Sequence, residues 1–492
     1  MNIELQVLGS ALRSIADEMG AALVRSAFSA NIKERRDCST ALFDERGRMV
    51  AQAEHIPVHL GAMPDAVAAV MRHGPGPHDV FVLNDPYTGG THLPDLTMVS
   101  RTEVGFAVTR AHHADVGGLE PGSMPAASRT LADEGVVIPP TKVDDAFVAE
   151  FVTRTRNPDE RRGDLRAQLA AHRLAERRVA DLCARRGREQ VVAAMDELLS
   201  HSERIVRGGL AALPDGRYEA SDVVEAADGE LEVRVAVTID EDAVEFDFAG
   251  TSPQHDGNLN CPLPVTRSAC YFVVRCVTDP DLPASGGAYA PVTVRAPEGC
   301  LVNARAPAAV AGGNVETSCR IVDTCLLALG HALPVPAQGQ GTMNNVTLGS
   351  DRFAYYETLG GGQGACPDGD GPSGVHVTMS NTLSTPTEAL ELAYPLHVVR
   401  HELRLGSGGD GEHRGGDGIV RELEAREPCR LSIISERRSR APQGAHGGRP
   451  GAPGRNALNG EELPAKATRD LQPGDVVRIE TPGGGGYGAA SR

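Results

Sequence analysis

The sequence contains no tryptophan, and aromatic residues make up only 4% of its 492 positions. No run of apolar residues approaches the roughly eighteen that a membrane-spanning helix needs. The first residues also lack the basic start and apolar centre of a secretory signal. We therefore expect a soluble, cytoplasmic protein without a membrane partner.

Cysteine is present but is not arranged in pairs. The ten cysteines are scattered singly, and none belongs to a Cys-x-x-Cys motif. This pattern predicts neither a disulfide framework nor a thiolate zinc site, and reduced thiols are its simplest interpretation.

Positive charge is in deficit, with 48 Lys and Arg against 66 Asp and Glu and a formal charge of −18. Such acidity argues against nucleic acid as a partner. Phosphate-binding fingerprints are missing as well, although the chain has 56 glycines. There is no GxxxxGK[ST] motif, and the GGGQG segment lacks the strand-turn-helix setting of a dinucleotide loop. We therefore do not expect this chain itself to bind ATP.

Histidine and aspartate are concentrated between residues 84 and 118, around glycine-rich turns. Two pairs share one spacing, His92 with Asp95 and His112 with Asp115. Imidazole and oxygen ligands without a nearby thiolate suit Zn²⁺, Mn²⁺ or another divalent ion in an open, catalytic coordination sphere. Because so many ionisable groups are costly to bury unpaired, the cluster predicts a metal site.

The apolar run between the two pairs alternates like a β-strand. A period of two places His112 on one face and His113 on the other, so only one of them can face a given site. The pattern does not decide which one does. Pro94 favours an irregular turn, which lets His92 and Asp95 converge on one point.

The chain as a whole predicts a mixed α+β fold in three parts. They are an N-terminal metal-bearing α/β domain (1–155), a helical segment (156–213) and a β-rich, glycine-heavy region that completes the site (214–492). Apolar residues at helical spacing from Ile3 to Phe28 predict an opening helix. The helical segment is highly charged, which predicts solvated surface helices. Alternating valines after Pro214 predict a β-meander.

Long motifs occur in one order along essentially the whole chain. They include ERRDCSTALFDERGRMVAQAEHIPVHLGAMP, NDPYTGGTHLPDLTMVS, RAHHADVGGLEPGSMP, GGNVETSCRIVD, YYETLGGGQGA and TPGGGGYG. In these motifs the chain resembles the hydantoinase B/oxoprolinase family. That family includes the B-type subunits of N-methylhydantoinase, the C-terminal half of 5-oxoprolinase, caprolactamase-type lactamase subunits and the alpha subunit of acetone carboxylase.

The resemblance implies an ATP-dependent hydrolase that acts on a small cyclic amide. A separate hydantoinase A-type ATP-binding subunit would phosphorylate the lactam or imide oxygen, and this chain would complete the hydrolysis with metal-activated water. A divalent metal, Zn or Mn, and a hetero-oligomer are therefore expected. The missing phosphate loop agrees with nucleotide chemistry in the partner.

Carried over residue by residue, the resemblance implies a set of metal ligands, with Glu34 as the substitute for the first of them: Asp37, His92, Asp95 and His112. The candidates for orienting a ligand or accepting a proton are Asp115, His113 and Glu134. The candidates for contact with the substrate are His59, Asp85, Glu316 and Glu357. Asp85 precedes a proline and also fits a turn former, and a structural hydrogen bond is the alternative role for Glu316 and Glu357.

Two other functions compete with the hydrolase. One is a carboxylase subunit of the acetone carboxylase kind, in which the same metal serves carbon–carbon bond formation. The other is a non-catalytic scaffold for the ATPase subunit. A scaffold is expected to lose its ligands, whereas every implied ligand position is filled here.

Overall fold

The structure, a computed structural model, describes residues 3–53 and 56–490. The α-helices of these residues are α1 (Ile3–Ser26), α2 (Ala30–Lys33), α3 (Met63–Met71), α4 (Leu131–Glu134), α5 (Asp145–Thr153), α6 (Pro158–Arg186), α7 (Arg188–Leu210), α8 (Leu263–Val277), α9 (Ser318–Leu329) and α10 (Thr387–Ala393). A 3₁₀ turn covers Pro57–His59 and a π-helical turn covers Gly313–Thr317. In the described ranges, no helix is long and apolar enough to cross a bilayer.

The strands form four sheets. They are β1 (Cys38–Asp44), β2 (Met49–Ala53), β3 (Val80–Leu83), β4 (Asp95–Thr102), β5 (Gly105–His112), β6 (Thr141–Lys142), β7 (Gly216–Ala226), β8 (Gly229–Asp240), β9 (Ala243–Asp247), β10 (Val292–Arg295), β11 (Asn345–Gly349), β12 (Ala354–Glu357), β13 (Leu396–Arg404), β14 (Gly418–Ala425), β15 (Cys429–Ile434), β16 (Arg455–Leu458), β17 (Glu461–Leu463), β18 (Lys466–Leu471) and β19 (Val476–Glu480). The mixture of helices and sheets confirms the predicted α+β fold.

The first sheet has the strand order β2-β1-β5-β4-β3-β6, and all its neighbouring strands are antiparallel. Both of its faces are buried. Leu42 and Ala107 share a hydrophobic core with α1, α6 and α7, whereas Phe43 and Val108 face a second core on the other side. The alternation predicted for β5 is therefore confirmed, and it controls which side chains reach the site.

The helical segment consists of α6 and α7, but α6 is not a solvated surface helix. It packs against α1 and turns polar side chains toward the sheet. The buried His172 ring lies 2.7 Å from Ser100 Oγ and 3.1 Å from Thr109 Oγ1. Charge along the sequence concealed these inward polar contacts. The division of the chain into three domains stays a prediction.

The remaining sheets follow the helical segment. The predicted meander is confirmed as β7 to β9, and β10 extends it in the order β10-β9-β8-β7. Helices α8 and α9 pack together, and α9 packs against β7 and β8. Two further sheets, β12-β11-β15-β18 and β13-β14-β19-β16-β17, enclose a separate hydrophobic core.

Glycine-rich segments lie side by side without forming regular strands, and we call them the glycine bundle (360–364, 408–416, 444–451 and 483–488). Backbone hydrogen bonds join them. Gly484 N donates to Gly416 O over 2.9 Å, and Gly409 N donates to Gly484 O over 2.8 Å. A Cβ atom on Gly484 would lie 2.0 Å from Gln363 O. Only glycine permits so close an approach of backbones.

Candidate metal centre

Two neighbouring strands end at the site. Asp95 is the first residue of β4 and His112 is the last residue of β5, and they lie directly opposite each other in the antiparallel register. The turn before β4 brings His92 to the same place, with its Nδ1 atom 3.1 Å from Asp95 Oδ2. His112 Nδ1 lies 3.5 Å from Asp95 Oδ1. The convergence predicted for His92 and Asp95 is thus present in the structure.

Further groups come from the β1 side of the site. Asp37 immediately precedes β1, and its Oδ2 atom lies 3.9 Å from His112 Nδ1. His59 Nε2 lies 3.4 Å from Asp95 Oδ2, while its Nδ1 atom lies 3.0 Å from Ser39 Oγ. All of these side chains are buried.

The donor atoms fit a single divalent ion. Ligands bound at about 2.1 Å are separated from one another by about 3.0 Å at right angles and about 3.4 Å at tetrahedral angles. The separations of 3.1 Å and 3.5 Å from Asp95 to His92 and His112 match that range. One ligand atom from each of these three residues lies within 4.8 Å of the others. The Nε2 atoms of both histidines are buried without a hydrogen-bond partner in the described residues.

The electrostatics favour the ligand forms of these groups. Burial lowers the pKa of His112 to about 4, so its imidazole is neutral. Burial opposes the charge on Asp95, but His92 and His59 outweigh it and hold the pKa of Asp95 well below its usual range. Burial, reinforced by Asp95, raises the pKa of Asp37 to about 7. Metals bind neutral imidazole and carboxylate, and a cation would favour the charged form of Asp37.

The metal-site cavity is small, with a volume of about 20 Å³. That is room for one water molecule or one ion. The C-terminal region closes the side away from the first sheet. The lining residues from that region are Asn314, Val315, Met343, Tyr356, Thr358, Ser380 and Thr382.

Two of these residues touch the histidines. Tyr356 stacks on His112 with ring centroids 4.5 Å apart and planes inclined by 6°. Asn314, in the π-helical turn, places Nδ2 3.1 Å from His92 Nδ1. Sequence reasoning missed both residues because each lies more than 200 positions from its partner and neither belongs to a ligand-spacing pattern. The GGNVETS and YYETLGGGQG motifs were the only signal.

A buried cation lies behind the cavity wall. Arg35 Nη2 donates to the hydroxyls of Thr358 and Thr382 over 2.6 Å and 2.9 Å. Its Nε and Nη1 atoms are buried and have no hydrogen-bond partner in the described residues. Among these residues no carboxylate lies within ion-pair distance of the guanidinium. Sequence reasoning missed Arg35 too, although it stands two positions before Asp37.

The three candidates for orienting a ligand or accepting a proton lie outside the cavity lining. His113 faces the opposite side of the sheet, with Nε2 3.0 Å from Gln168 Oε1. Asp115 accepts hydrogen bonds from the loop backbone and from Arg156. Glu134 accepts from the amides of residues 310 and 311, and burial raises its pKa to about 7. Their catalytic roles stay predictions that this geometry does not favour.

The remaining candidates also lie outside the cavity lining, except for His59. Asp85 accepts the amide of Tyr87 within its turn. Glu316 is buried below the π-helical turn and accepts a hydrogen bond from Asn345 over 2.8 Å. Glu357 forms a buried ion pair with Arg421. Glu34 is only half-buried at the end of α2.

Comparisons with known proteins agree with this fold and site. The family model described as hydantoinase B/oxoprolinase matches residues 1–490. The chain belongs to the hydantoinase B/oxoprolinase family, which confirms the resemblance seen in its motifs. The 5-oxoprolinase 1 of Arabidopsis thaliana is 40% identical over 99% of this chain, which spans only 42% of that protein. The B-type subunit of a D-/L-hydantoinase from Pseudomonas sp. (strain NS671) is 30% identical, over 99% of this chain and 90% of that protein.

Solved structures share the architecture. The ATP-dependent caprolactamase from Pseudomonas jessenii superposes with a TM-score of 0.91 at 28% identity, covering 99% of this chain and 91% of that chain. Acetone carboxylase superposes with a TM-score of 0.88 at 19% identity, covering 98% of this chain and 75% of that chain. The second likeness shows the fold alone.

Proposed function

We propose that this chain is the metal-bearing, B-type subunit of an ATP-dependent hydrolase of cyclic amides, of the hydantoinase and oxoprolinase kind. The observation that carries the proposal is the buried cluster of two carboxylates and two histidines at the ends of β4 and β5 and the start of β1. The neutral imidazoles and the charged Asp95 are the forms that bind a cation. A divalent ion, Zn²⁺ or Mn²⁺, is the proposed occupant.

The ligands we propose are Asp37, His92, Asp95 and His112. A divalent ion held by them supplies a nucleophile from water at neutral pH and polarises the substrate. His59 lies between Ser39 and Asp95 and orients the Asp95 carboxylate by its contact of 3.4 Å. Tyr356 fixes the ring plane of His112 by stacking. These residues hold the site in one arrangement before the substrate arrives.

The substrate side of the proposal rests on Arg35 and its two threonines. A phosphorylated amide carries negative charge, and a buried guanidinium with free N–H groups is a strong partner for a phosphoryl oxygen. Thr358 and Thr382 present hydroxyls to the cavity and hydrogen-bond to Arg35. We propose that this wall receives the phosphoryl group, and that the cavity opens to admit the substrate.

ATP chemistry is proposed to lie outside this chain. Its glycine-rich segments are occupied by contacts with one another in the glycine bundle, and none has the setting of a phosphate loop. The name of the Pseudomonas relative, a B-type hydantoinase subunit, supports a partner subunit, and the greater length of the Arabidopsis relative supports a partner region within one chain. We propose a hydantoinase A-type ATP-binding subunit and a hetero-oligomer.

The competing functions receive less support. The carboxylase alternative rests on acetone carboxylase, and that likeness extends to the fold only. A scaffold would not need several ionisable side chains buried together around a cavity, because burying them without a cation is costly. The hydrolase therefore remains the proposed function.

The experiment is turnover by the assembled complex. The chain is co-purified with its ATP-binding partner, and both ring opening and ATP hydrolysis are measured with hydantoin, 5-oxoproline and caprolactam. We expect His92→Ala and Asp95→Ala to abolish ring opening while circular dichroism shows an intact fold. Ring opening that survives in both variants would remove the metal site from the mechanism.

A further inference from the structure

Asn314 stands at the metal-site cavity without an assigned role. It is buried with 2% of its surface exposed, and its Oδ1 atom has no hydrogen-bond partner in the described part of the chain. Its Nδ2 atom lies 3.1 Å from His92 Nδ1. An unpartnered amide oxygen at this place is a candidate for a ligand role.

The surroundings of His92 Nδ1 contain a conflict. Asp95 Oδ2 and Asn314 Nδ2 both lie 3.1 Å from this one nitrogen. A carboxylate needs the nitrogen to donate a proton, whereas an N–H group needs it to accept one, and one imidazole nitrogen cannot do both. Half a turn of the Asn314 amide exchanges Nδ2 for Oδ1 and leaves three electron-rich atoms close together.

A cation resolves the conflict, because all three atoms can face it at once. The two separations of 3.1 Å lie in the range expected for ligands around one ion bound at about 2.1 Å. We propose that Asn314 supplies a further ligand of the metal site through Oδ1. This inference rests on the proposed metal site and adds a neutral oxygen from the C-terminal region to it.

The backbone holds Asn314 at this place firmly. Its N atom donates to Val310 O over 2.9 Å, and its carbonyl accepts the hydroxyl of Ser318 over 2.6 Å. A Cβ atom on the preceding Gly313 would lie 1.8 Å from Asn260 O, so the turn is packed tightly against its neighbour. π-helical turns often occur at functional sites, and this one aims its amide at the cavity.

The consequence is a site with more oxygen character than four ligands give. Two carboxylates, two imidazoles and an amide oxygen exceed the four ligands of a closed tetrahedral zinc site. Oxygen ligands favour hard cations such as Mn²⁺. The amide also ties the ion to the C-terminal region, so the bound ion joins two distant parts of the chain.

The test measures metal affinity in the full chain. Mn²⁺ affinity is determined by competition with a chelator, and the absorption spectrum of bound Co²⁺ reports the coordination, for wild type, Asn314→Leu and Asn314→Asp. Thr317→Val, in the same turn, is the control because its hydroxyl donates to Leu259 O and not to the site. His92→Ala establishes the site itself.

We expect Asn314→Leu to weaken Mn²⁺ binding by about tenfold or more and to change the Co²⁺ spectrum. Asn314→Asp, which keeps an oxygen at this place, is expected to bind Mn²⁺ at least as tightly as wild type, and Thr317→Val is expected to match wild type. Binding by Asn314→Leu within about twofold of wild type would overturn the inference while leaving the metal site standing. Equal weakening by Leu and Asp would overturn it too. Wild type without metal affinity would overturn the proposed function as well.

Discussion

Two adjacent histidines at the end of β5 lie in different surroundings. His112 faces the metal-site cavity, whereas His113 faces α6 and contacts Gln168. The strand period predicted that they would part but not which one would reach the site. That choice depended on which face of the sheet the C-terminal region covers, and no local pattern reports it.

The pair provides a matched prediction. His112→Ala is expected to lose the bound ion, because it removes a ligand, and His113→Ala is expected to keep it. Metal content per chain and melting temperature are measured for both variants. Loss of the ion in His113→Ala alone would contradict the assignment of faces.

Glu357 and Arg421 form a second residue-scale feature. They are a buried ion pair, with Nε of Arg421 3.2 Å from Oε1 of Glu357. Burial opposes the charge on Glu357, but Arg421, Arg35 and the hydroxyl of Tyr355 outweigh it and lower its pKa below the ordinary 4.5. Substrate contact by Glu357 stays a prediction, and the geometry favours a structural role.

We expect Glu357→Gln to cost about 3–5 kcal/mol of unfolding free energy at pH 7, because it leaves Arg421 buried without its partner. Since the folded pKa is lowered, this stability is present above the ordinary pKa of 4.5 and is lost as the pH falls through the folded value. Urea unfolding of both proteins from pH 7 to pH 4 checks this. A difference that does not narrow in acid would contradict it.

At the scale of elements, the sequence predicted what repeats locally. The opening helix, the hairpin of β1 and β2, the β5 alternation and the meander from β7 to β9 all follow from periodicity over a few residues. The glycine bundle was not predicted. Its segments are far apart in sequence and have no side-chain period, because the contacts are between backbones.

The bundle provides a matched glycine pair. A Cβ atom on Gly484 would lie 2.0 Å from a backbone oxygen, whereas one on Gly369 would meet nothing within 4 Å. We expect Gly484→Ala to lower the unfolding free energy by about 3 kcal/mol, because no rotamer can relieve a backbone clash. Thermal and urea unfolding measure it.

Gly369→Ala is the control and should unfold close to wild type. Both positions lack the left-handed backbone that favours glycine, so the two variants differ in space alone. Equal stability of the two variants would show that the bundle does not require close backbone approach at Gly484.

At the scale of the whole molecule, the site is shared between distant parts of the chain. The N-terminal motifs supply the charged ligand set, which spacing and resemblance could predict. The C-terminal region supplies neutral side chains, Asn314, Tyr356, Thr358 and Thr382, and a neutral residue without a spacing pattern gives no signal in one sequence. Only folding brings them to the cavity.

A shared site predicts that the ion stabilises the whole molecule. An ion that binds only the folded chain adds about 2.7 kcal/mol at a free concentration of about one hundred times its dissociation constant. We expect the melting temperature to rise with added Mn²⁺ or Zn²⁺ in wild type and to stay unchanged in Asp95→Ala. Calorimetry measures both, and an equal rise in the variant would place the ion elsewhere.

The most direct measurement is the metal content of the purified chain, taken by plasma mass spectrometry on wild type and His92→Ala side by side without chelators. The proposed metal site predicts one divalent ion per chain in wild type and its loss in the variant. A metal-free wild type, or an ion retained equally by both proteins, would contradict the proposal that His92, Asp95, His112 and Asp37 form a metal centre.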